Sequence, residues 1–148
     1  MSGKGDFDVE RFRTIMKSWT GGKSPDFVAR MELGEIDDIQ YGQARQDWAM
    51  PDWSRNPDGS LFGGYTAALL DQITAMAAFS VLGEGEFIKT TQLQVDYHRP
   101  VMGPTAEIIG EVVNESRNAI HLEAKIVNPD GKTAARGRAI YARKKIGG

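Results

Sequence analysis

One long apolar run constrains this chain more than any other feature. It extends from Tyr65 to Leu82 behind a pair of glycines, and its polar residues are Thr66, Asp71, Gln72, Thr74 and Ser80. A helix that is apolar around nearly its whole circumference must be surrounded by protein or by lipid. Burying the charge of Asp71 in a bilayer would cost about 3 kcal/mol. The run therefore predicts a core helix over residues 64–82 and no membrane insertion.

Beyond residue 83 the apolar residues follow the two-residue period of β-strands. The first predicted strand has one apolar face and one polar face, formed by Phe87, Leu93, Val95 and Tyr97 and by Gln92, Gln94, Asp96 and His98 respectively. Further strands are predicted over residues 105–114, 118–127 and 132–143, with turn-rich connections between them. A looser alternation predicts an earlier strand within residues 36–50.

These elements predict an α+β fold, in which a long central helix is wrapped by a curved antiparallel sheet of about five strands. The four strands after the helix are expected to pair in sequence order, as a meander. An extra N-terminal helix is predicted where Val9, Phe12, Met16 and Trp19 recur at helical spacing. We expect residues 1–25 to form this helical extension and residues 26–148 to form the main domain. The extension is either a brace on that domain, or a wall of a ligand pocket through Phe12 and Trp19.

Charge and composition exclude several classes of function. The 148 residues include 18 basic and 20 acidic side chains, a formal net charge of -2, with no basic cluster to follow a nucleic-acid backbone. The absence of cysteine excludes disulfides and thiolate chemistry, and with only two histidines no metal site is expected. The first nineteen residues have charges scattered among the apolar ones, which is not typical of a signal peptide. A cytoplasmic protein is the expectation.

Asp71 is the most unusual residue of the apolar run. No basic residue occurs between positions 56 and 88, so the acid has no ion-pair partner nearby in the sequence. Two interpretations remain open. Asp71 is either a general base or nucleophile, or a buried acid whose oxygens accept hydrogen bonds from elsewhere in the fold.

The paired glycines at the start of the helix favour the first interpretation. Unpaired N–H groups at a helix N-terminus, here those of Gly63 and Gly64, can stabilise an anion or a polarised carbonyl. Gly63 and Asp71 are eight residues apart, which is about 12 Å along a helix axis. They cannot contact one carbonyl from the same chain. The pattern therefore predicts a homodimer, in which Asp71 of one copy faces the partner's Gly63 at each of two sites.

Residues 30–143 resemble the hot-dog-fold acyl-CoA thioesterases of the phenylacetate-degradation type. Those proteins carry Asn-x-x-Gly-x-x-His-Gly-Gly and then an apolar helix with an acid eight residues after the first of the paired glycines. This chain has the corresponding residues Asn56, Gly59, Phe62, Gly63, Gly64 and Asp71. The segments 90–103 and 131–142 also resemble the later strands of the family.

The resemblance implies hydrolysis of an acyl-CoA or aryl-CoA thioester to the free acid and coenzyme A. Asp71 would be the nucleophile or general base, Gly63 would supply the oxyanion donor across the dimer interface, and Asn56 would orient the substrate or the water. The residues expected to bind substrate are Phe62, Gly64, Thr90 and Thr91. No cofactor is implied, because coenzyme A is part of the substrate. The assembly would be a homodimer or a pair of such dimers.

Two departures from the family pattern keep alternatives open. Phe62 replaces the usual His and cannot donate a hydrogen bond, so a non-catalytic acyl-CoA-binding or regulatory protein is the second hypothesis. Ala75, one turn after Asp71, lacks a hydroxyl that some relatives carry there. A hydratase or dehydratase is disfavoured, since such reactions generally use a His beside the acid.

Two features near the motif also have structural interpretations. The tetrapeptide NPDG at 56–59 recurs at 128–131, where it is expected to form a hairpin turn, so Asn56 is either a turn residue or a substrate contact. Trp48 and Trp53 could line an acyl pocket or could pack in the core.

Overall fold

The computed structural model describes residues 7–147 as a helix wrapped by one antiparallel sheet, the architecture of the hot-dog fold. The helices are α1 (Val9–Thr20), α2 (Asp26–Arg30) and α3 (Gly63–Phe79). The strands are β1 (Asp38–Gln40), β2 (Gln43–Ala49), β3 (Glu86–Tyr97), β4 (Thr105–Glu115), β5 (Ala119–Val127) and β6 (Thr133–Lys145). The α+β fold class, the long central helix and the N-terminal helix are confirmed.

A row of small residues lets α3 lie close against the sheet. The register places Ala44, Gly110, Ala124 and Gly137 side by side across four neighbouring strands. A Cβ atom on Gly110 would lie 3.0 Å from the carbonyl oxygen of Ile73 in α3, and one on Gly137 would lie 3.3 Å from the side chain of Leu70. Larger residues in this row would push the helix away from the sheet. The helix that carries Asp71 thus packs directly against the sheet.

The sheet differs from the predicted one in strand number and in order. It has six strands in the order β1-β2-β4-β5-β6-β3, because the segment predicted as one strand over 36–50 folds into the hairpin β1–β2. Gly42 makes the sharp turn between them with a φ of 77°. The expected four-strand meander is also wrong, since β3 pairs with β6 and not with β4. The connection over residues 98–104 contains two prolines and crosses from one side of the sheet to the other, which a tight hairpin turn would not do.

A β-bulge in β3 changes which side chains face the helix. The register with β6 shifts between Thr90 and Gln92, so one extra residue is inserted there. Ile88 is buried on the helix side, whereas Phe87 stacks on Trp19 at 6.2 Å between ring centroids. The prediction that Phe87 shares a face with Leu93 is therefore wrong. The bulge reverses the alternation, which a constant period of two cannot represent.

The N-terminal helix α1 is capped at both ends. The Asp8 side chain accepts a hydrogen bond from the Arg11 N–H, and Gly21 ends the helix in the left-handed conformation. Ile15 is the buried residue of α1. The short helix α2 was not predicted, and it follows α1 at the edge of the main body. None of the helices within residues 7–147 is both long and apolar enough to cross a membrane.

Candidate active site

The Asp71 carboxylate is held by two hydroxyl groups. Its Oδ1 accepts hydrogen bonds from Thr90 Oγ1 at 3.1 Å and from the Tyr141 hydroxyl at 3.0 Å. The Oδ2 atom receives no hydrogen bond from any group within residues 7–147. One oxygen is therefore fixed by the sheet while the other remains able to bind a water or a substrate atom.

Tyr141 is the central polar contact of this acid and was not predicted. It lies in β6 opposite Thr90, and its hydroxyl also lies 2.8 Å from Thr74 Oγ1 and 2.7 Å from the Asp71 carbonyl oxygen. Burial and then the charge of Asp71 raise the pKa of Tyr141 well above its usual value. The hydroxyl therefore stays protonated and acts as a donor. The alternation of β6 places Tyr141 on the inward side with Ala135 and Ala139. A tyrosine on the inward face of a strand was therefore the sequence feature that could have indicated a polar contact in the core.

The second predicted group lies at the start of α3. Neither the Gly63 N–H nor the Gly64 N–H donates a hydrogen bond to a group within the described part of the chain. The Tyr97 hydroxyl donates to the Gly63 carbonyl oxygen at 2.6 Å and so ties the end of β3 to the start of this helix. Two free N–H groups at a helix N-terminus form a potential oxyanion site.

Phe62 precedes these glycines with a side chain that is 58% exposed. A Cβ atom on Gly64 would lie 2.7 Å from the Phe62 ring, so the ring lies over this glycine. Phe62 thus adds an apolar surface to the start of α3 where the related motif has a hydrogen-bonding side chain. The absence of a side chain on Gly64 makes room for it.

Asn56 lies in the loop before α3, and its backbone N–H and side-chain amide donate hydrogen bonds within that loop. Its N–H donates to the Ser60 carbonyl at 2.7 Å, and its carbonyl accepts from the Gly59 N–H at 2.9 Å. Its side-chain amide donates to Ser60 Oγ at 3.1 Å and to the Leu61 carbonyl at 3.2 Å. The NPDG segment at 128–131 repeats the two backbone bonds, each at 2.9 Å. These contacts fit the turn interpretation, and a role of Asn56 in orienting substrate stays a prediction.

The remaining predicted residues divide between the site and its surroundings. Thr90 contacts Asp71, whereas the Thr91 hydroxyl donates to the Ile140 carbonyl at 2.8 Å within the bulge. Trp48 is buried, with its indole N–H donating to the Glu32 carbonyl at 3.0 Å. Trp53 is exposed and donates to the Glu32 carboxylate. Neither tryptophan borders the space beside Asp71.

That space is a cavity of about 280 Å³ between α3, the sheet and the N-terminal segment. Its lining is mostly apolar, and its polar residues are Asp71, Thr90, Tyr141, Gln72, Lys89 and Thr20. No cluster of three His, Asp or Glu side chains suited to a metal ion occurs within residues 7–147. An oriented carboxylate at the margin of an apolar cavity is suited to acid–base or nucleophilic chemistry on an apolar substrate.

A central helix that carries an acid and is wrapped by an antiparallel sheet defines a hot-dog domain. A comparison of the sequence with family models shows which family of such domains the chain belongs to. The family model of the thioesterase superfamily matches residues 58–135, which is more than half of the chain. The chain belongs to this superfamily. The matched range includes Gly63, Asp71 and Thr90, while Asn56 and Tyr141 lie outside it. None of the curated proteins compared with the chain matches it significantly.

Solved structures share the whole fold. A thioesterase from Haemophilus influenzae is 20% identical with a TM-score of 0.79, and the alignment covers 100% of this chain and 98% of that one. A thioesterase family protein from Silicibacter pomeroyi is 22% identical with a TM-score of 0.78, covering 90% and 97%. A phenylacetic acid degradation-related protein from Ralstonia eutropha is 24% identical with a TM-score of 0.75, covering 87% and 98%. At these identities the likeness establishes the hot-dog fold.

Proposed function

We propose that this protein hydrolyses acyl-CoA thioesters to the free acid and coenzyme A, with Asp71 as the general base or nucleophile. The observation that carries the proposal is the Asp71 carboxylate itself. Hydroxyl groups of Thr90 and Tyr141 hold its Oδ1, and its Oδ2 is left for a reactant at the margin of an apolar cavity. The Asp71 side chain is half-buried, so Oδ2 is accessible to the water molecule or thioester that either catalytic route requires.

In the general-base route, Oδ2 of Asp71 accepts a proton from a water molecule as the water oxygen attacks the thioester carbonyl carbon. The carbonyl oxygen becomes an oxyanion, which the Gly63 N–H stabilises. The C–S bond then breaks, and the departing thiolate recovers the proton from Asp71. In the nucleophilic route, Oδ2 attacks the carbonyl carbon directly, and the C–S bond breaks so that coenzyme A leaves as a thiolate. Water then hydrolyses the resulting anhydride to the free acid and the Asp71 carboxylate, and the thiolate takes up the proton that this step releases. Tyr141 and Thr90 position the carboxylate in both routes.

The site requires a second copy of the chain, because Gly63 and Asp71 are on the same helix and eight residues apart. The edge strand β3 offers the contact. It is 12 residues long, and its outer edge has no strand partner within residues 7–147. A long unpaired edge is a template for pairing with another strand.

Contacts between β3 and α3 support the geometry of this dimer. Tyr97 contacts Gly63 and Thr90 contacts Asp71, so α3 runs alongside β3 with its start near the strand's end. Antiparallel pairing of two β3 strands about a two-fold axis near Leu93 and Gln94 would place Tyr97 of one copy opposite the partner's Thr90. The same axis would bring the partner's Gly63 toward Asp71.

The replacement Asp71→Asn tests the proposal. It preserves the shape and an oxygen that can accept the Thr90 and Tyr141 hydrogen bonds, but it removes the base. The kcat/KM for a panel of acyl-CoA esters, measured from the release of free thiol, should fall by about 100-fold or more. Unchanged folding by circular dichroism is the control, and equal turnover by the two proteins would refute the role of Asp71.

Phe62 favours one alternative, a non-catalytic acyl-CoA-binding or regulatory protein. Its exposed ring offers no hydrogen-bond donor where the related motif has His. This alternative predicts saturable binding of acyl-CoA without release of coenzyme A, and gain of hydrolysis in Phe62→His. Efficient hydrolysis by the unmodified protein would exclude it.

A further inference from the structure

The cavity beside Asp71 is bounded on one side by the N-terminal segment. One wall comes from α3 through Ala75 and Phe79, and a second comes from the sheet through Ile88. The third wall comes from α1 through Met16 and Trp19. Removing α1 would therefore open the cavity to solvent on that side.

Trp19 is fixed in this wall by three neighbours. Its ring stacks on Phe87 with an interplanar angle of 15° and lies 5.9 Å from the Phe79 ring between centroids. The Lys89 ammonium lies 5.4 Å from its centroid, within the range of a cation–π contact. Trp19 is 45% exposed, so part of its side chain still borders solvent. These contacts hold the Trp19 side chain in a defined position in the cavity wall.

A second apolar cavity lies on the far side of this tryptophan. It has a volume of about 210 Å³ and is lined by Ile15, Phe87 and Ile146, among others. Trp19 is the residue that lines both cavities. Truncating its side chain would join the two spaces and lengthen the pocket that begins at Asp71.

We propose that the Asp71 cavity receives the acyl group of the thioester and that Trp19 sets the upper limit of its length. This inference rests on the proposed thioesterase function. The volume of about 280 Å³ corresponds to about nine water-sized groups at about 30 Å³ each. The preferred substrates are therefore compact apolar acyl groups of about nine heavy atoms or fewer. Ala75 lines the α3 wall of the cavity, and its small side chain leaves room for the acyl group.

The test compares kcat/KM for linear acyl-CoA esters from acetyl to palmitoyl in the unmodified protein and in Trp19→Ala. The unmodified protein should lose activity beyond about nine heavy atoms. Relative to acetyl-CoA, Trp19→Ala should gain at least tenfold on longer chains, since each newly accommodated methylene is worth about fourfold. Ala75→Leu should move the preference to shorter chains. An unchanged chain-length profile in both variants, with hydrolysis intact, would overturn the assignment.

Two control variants test whether the change in profile depends on the size of the side chain at position 19. Trp53→Ala removes an exposed tryptophan that lines neither cavity and should leave the profile unchanged. Trp19→Phe keeps an aromatic ring in the wall and should give a profile between those of the unmodified protein and Trp19→Ala. The same acyl series on N-acetylcysteamine should show the same shift. A shift seen only with coenzyme A would place the thiol arm in the cavity and overturn the proposal.

Binding separates this inference from the function on which it rests. Dissociation constants of the same acyl-CoA esters with Asp71→Asn should follow the same length limit, and adding Trp19→Ala should relax that limit. Absence of hydrolysis by the unmodified protein would refute the thioesterase proposal, while a length limit in binding would still support the pocket. Affinities independent of Trp19 would refute the pocket.

Discussion

The Tyr141 hydroxyl lies 3.0 Å from Oδ1 of Asp71 and 2.7 Å from the Asp71 carbonyl oxygen. We expect Tyr141→Phe to lower kcat/KM about fivefold, because it removes one hydrogen bond that orients the carboxylate, worth about 1 kcal/mol. The KM for acyl-CoA should change little. Steady-state kinetics with a short acyl-CoA, which fits the cavity in either protein, measure both quantities.

Neighbouring threonines provide the matched control. Thr90→Val removes the other hydroxyl on Oδ1, whereas Thr91→Val removes a hydroxyl bonded to the backbone of Ile140. The first should reduce kcat/KM by a similar factor, and the second should alter it less than about threefold, within the range of an indirect effect. A larger loss in Thr91→Val than in Thr90→Val would contradict the proposed arrangement of the site.

The sequence was sufficient to predict the helix that carries the candidate site but not the partners of Asp71. The apolar run located α3, and its glycine pair and acid located the two groups of the proposed chemistry. The partners depend on β3 lying beside β6, which brings Thr90 opposite Tyr141. That pairing is a long-range choice of strand order, and neither strand's own pattern specifies it. The bulge at Thr91 then decides which threonine faces the acid.

The ends of elements were less predictable for a similar reason. The apolar run continues to Leu82, but α3 ends at Phe79, and the hydroxyl of the next residue, Ser80, accepts a hydrogen bond from the Gly42 N–H at 2.7 Å. A contact with the β1–β2 turn thus accompanies the end of the helix. The apolar pattern of residues 64–82 cannot predict this contact, because its partner, Gly42, lies elsewhere in the sequence.

The Gly63 N–H is expected to be an oxyanion donor, and proline can remove it selectively. Proline is tolerated at the first position of a helix, and Phe62 already has the extended conformation that precedes proline, with φ -55° and ψ 131°. Gly63→Pro should reduce kcat by about 100-fold, the usual effect of losing one oxyanion donor. Gly63→Ala keeps the N–H, and its Cβ would meet the Tyr97 ring at an ordinary 3.7 Å. It should retain most of the activity.

Mixing two inactive variants tests whether the site is shared between subunits. In a heterodimer of Asp71→Asn and Gly63→Pro, one of the two sites would have both an intact Asp71 and an intact Gly63. Random exchange should restore up to about a quarter of the unmodified activity, since half of the dimers are mixed and each has one intact site. If both groups acted within one chain, refolding the mixture would restore nothing.

The close approach of α3 to Gly110 predicts a strong effect of a single methyl group. An added Cβ would lie 3.0 Å from the Ile73 carbonyl oxygen, a backbone atom that cannot move without the helix. Gly110→Ala should lower the free energy of unfolding by about 1–3 kcal/mol. Gly137→Ala would instead contact the Leu70 side chain at 3.3 Å, which can rotate. Urea unfolding should therefore rank Gly110→Ala as the more destabilised, and the reverse order would contradict this packing.

Glu86 and Arg143 form a nearly buried ion pair that should make stability depend on pH. Both side chains are 13% exposed, and Arg143 donates to the two Glu86 oxygens at 2.9 Å and 3.0 Å, joining β3 to β6. Burial alone would raise the pKa of Glu86, but hydrogen bonds from Arg143 and from the Gly83 N–H outweigh it and hold this pKa below its usual value. Glu86→Gln removes the charge that pairs with two guanidinium nitrogens and leaves Glu115, 3.0 Å from Arg143, as the remaining counter-charge, so it should lower the free energy of unfolding by about 2 kcal/mol at pH 7.

This difference should vanish in acid. A carboxyl whose pKa is lower in the folded state stabilises the protein above its unfolded pKa of about 4.3, and the contribution is lost as pH falls through the folded pKa. Urea unfolding of both proteins between pH 7 and pH 3 should show a constant difference down to about pH 5 and convergence below it. Glu84→Gln, a change at an exposed neighbour outside the ion pair, should match the unmodified protein at every pH. A difference for Glu86→Gln that stayed constant into acid would mean that lost packing, and not lost charge, destabilises the variant.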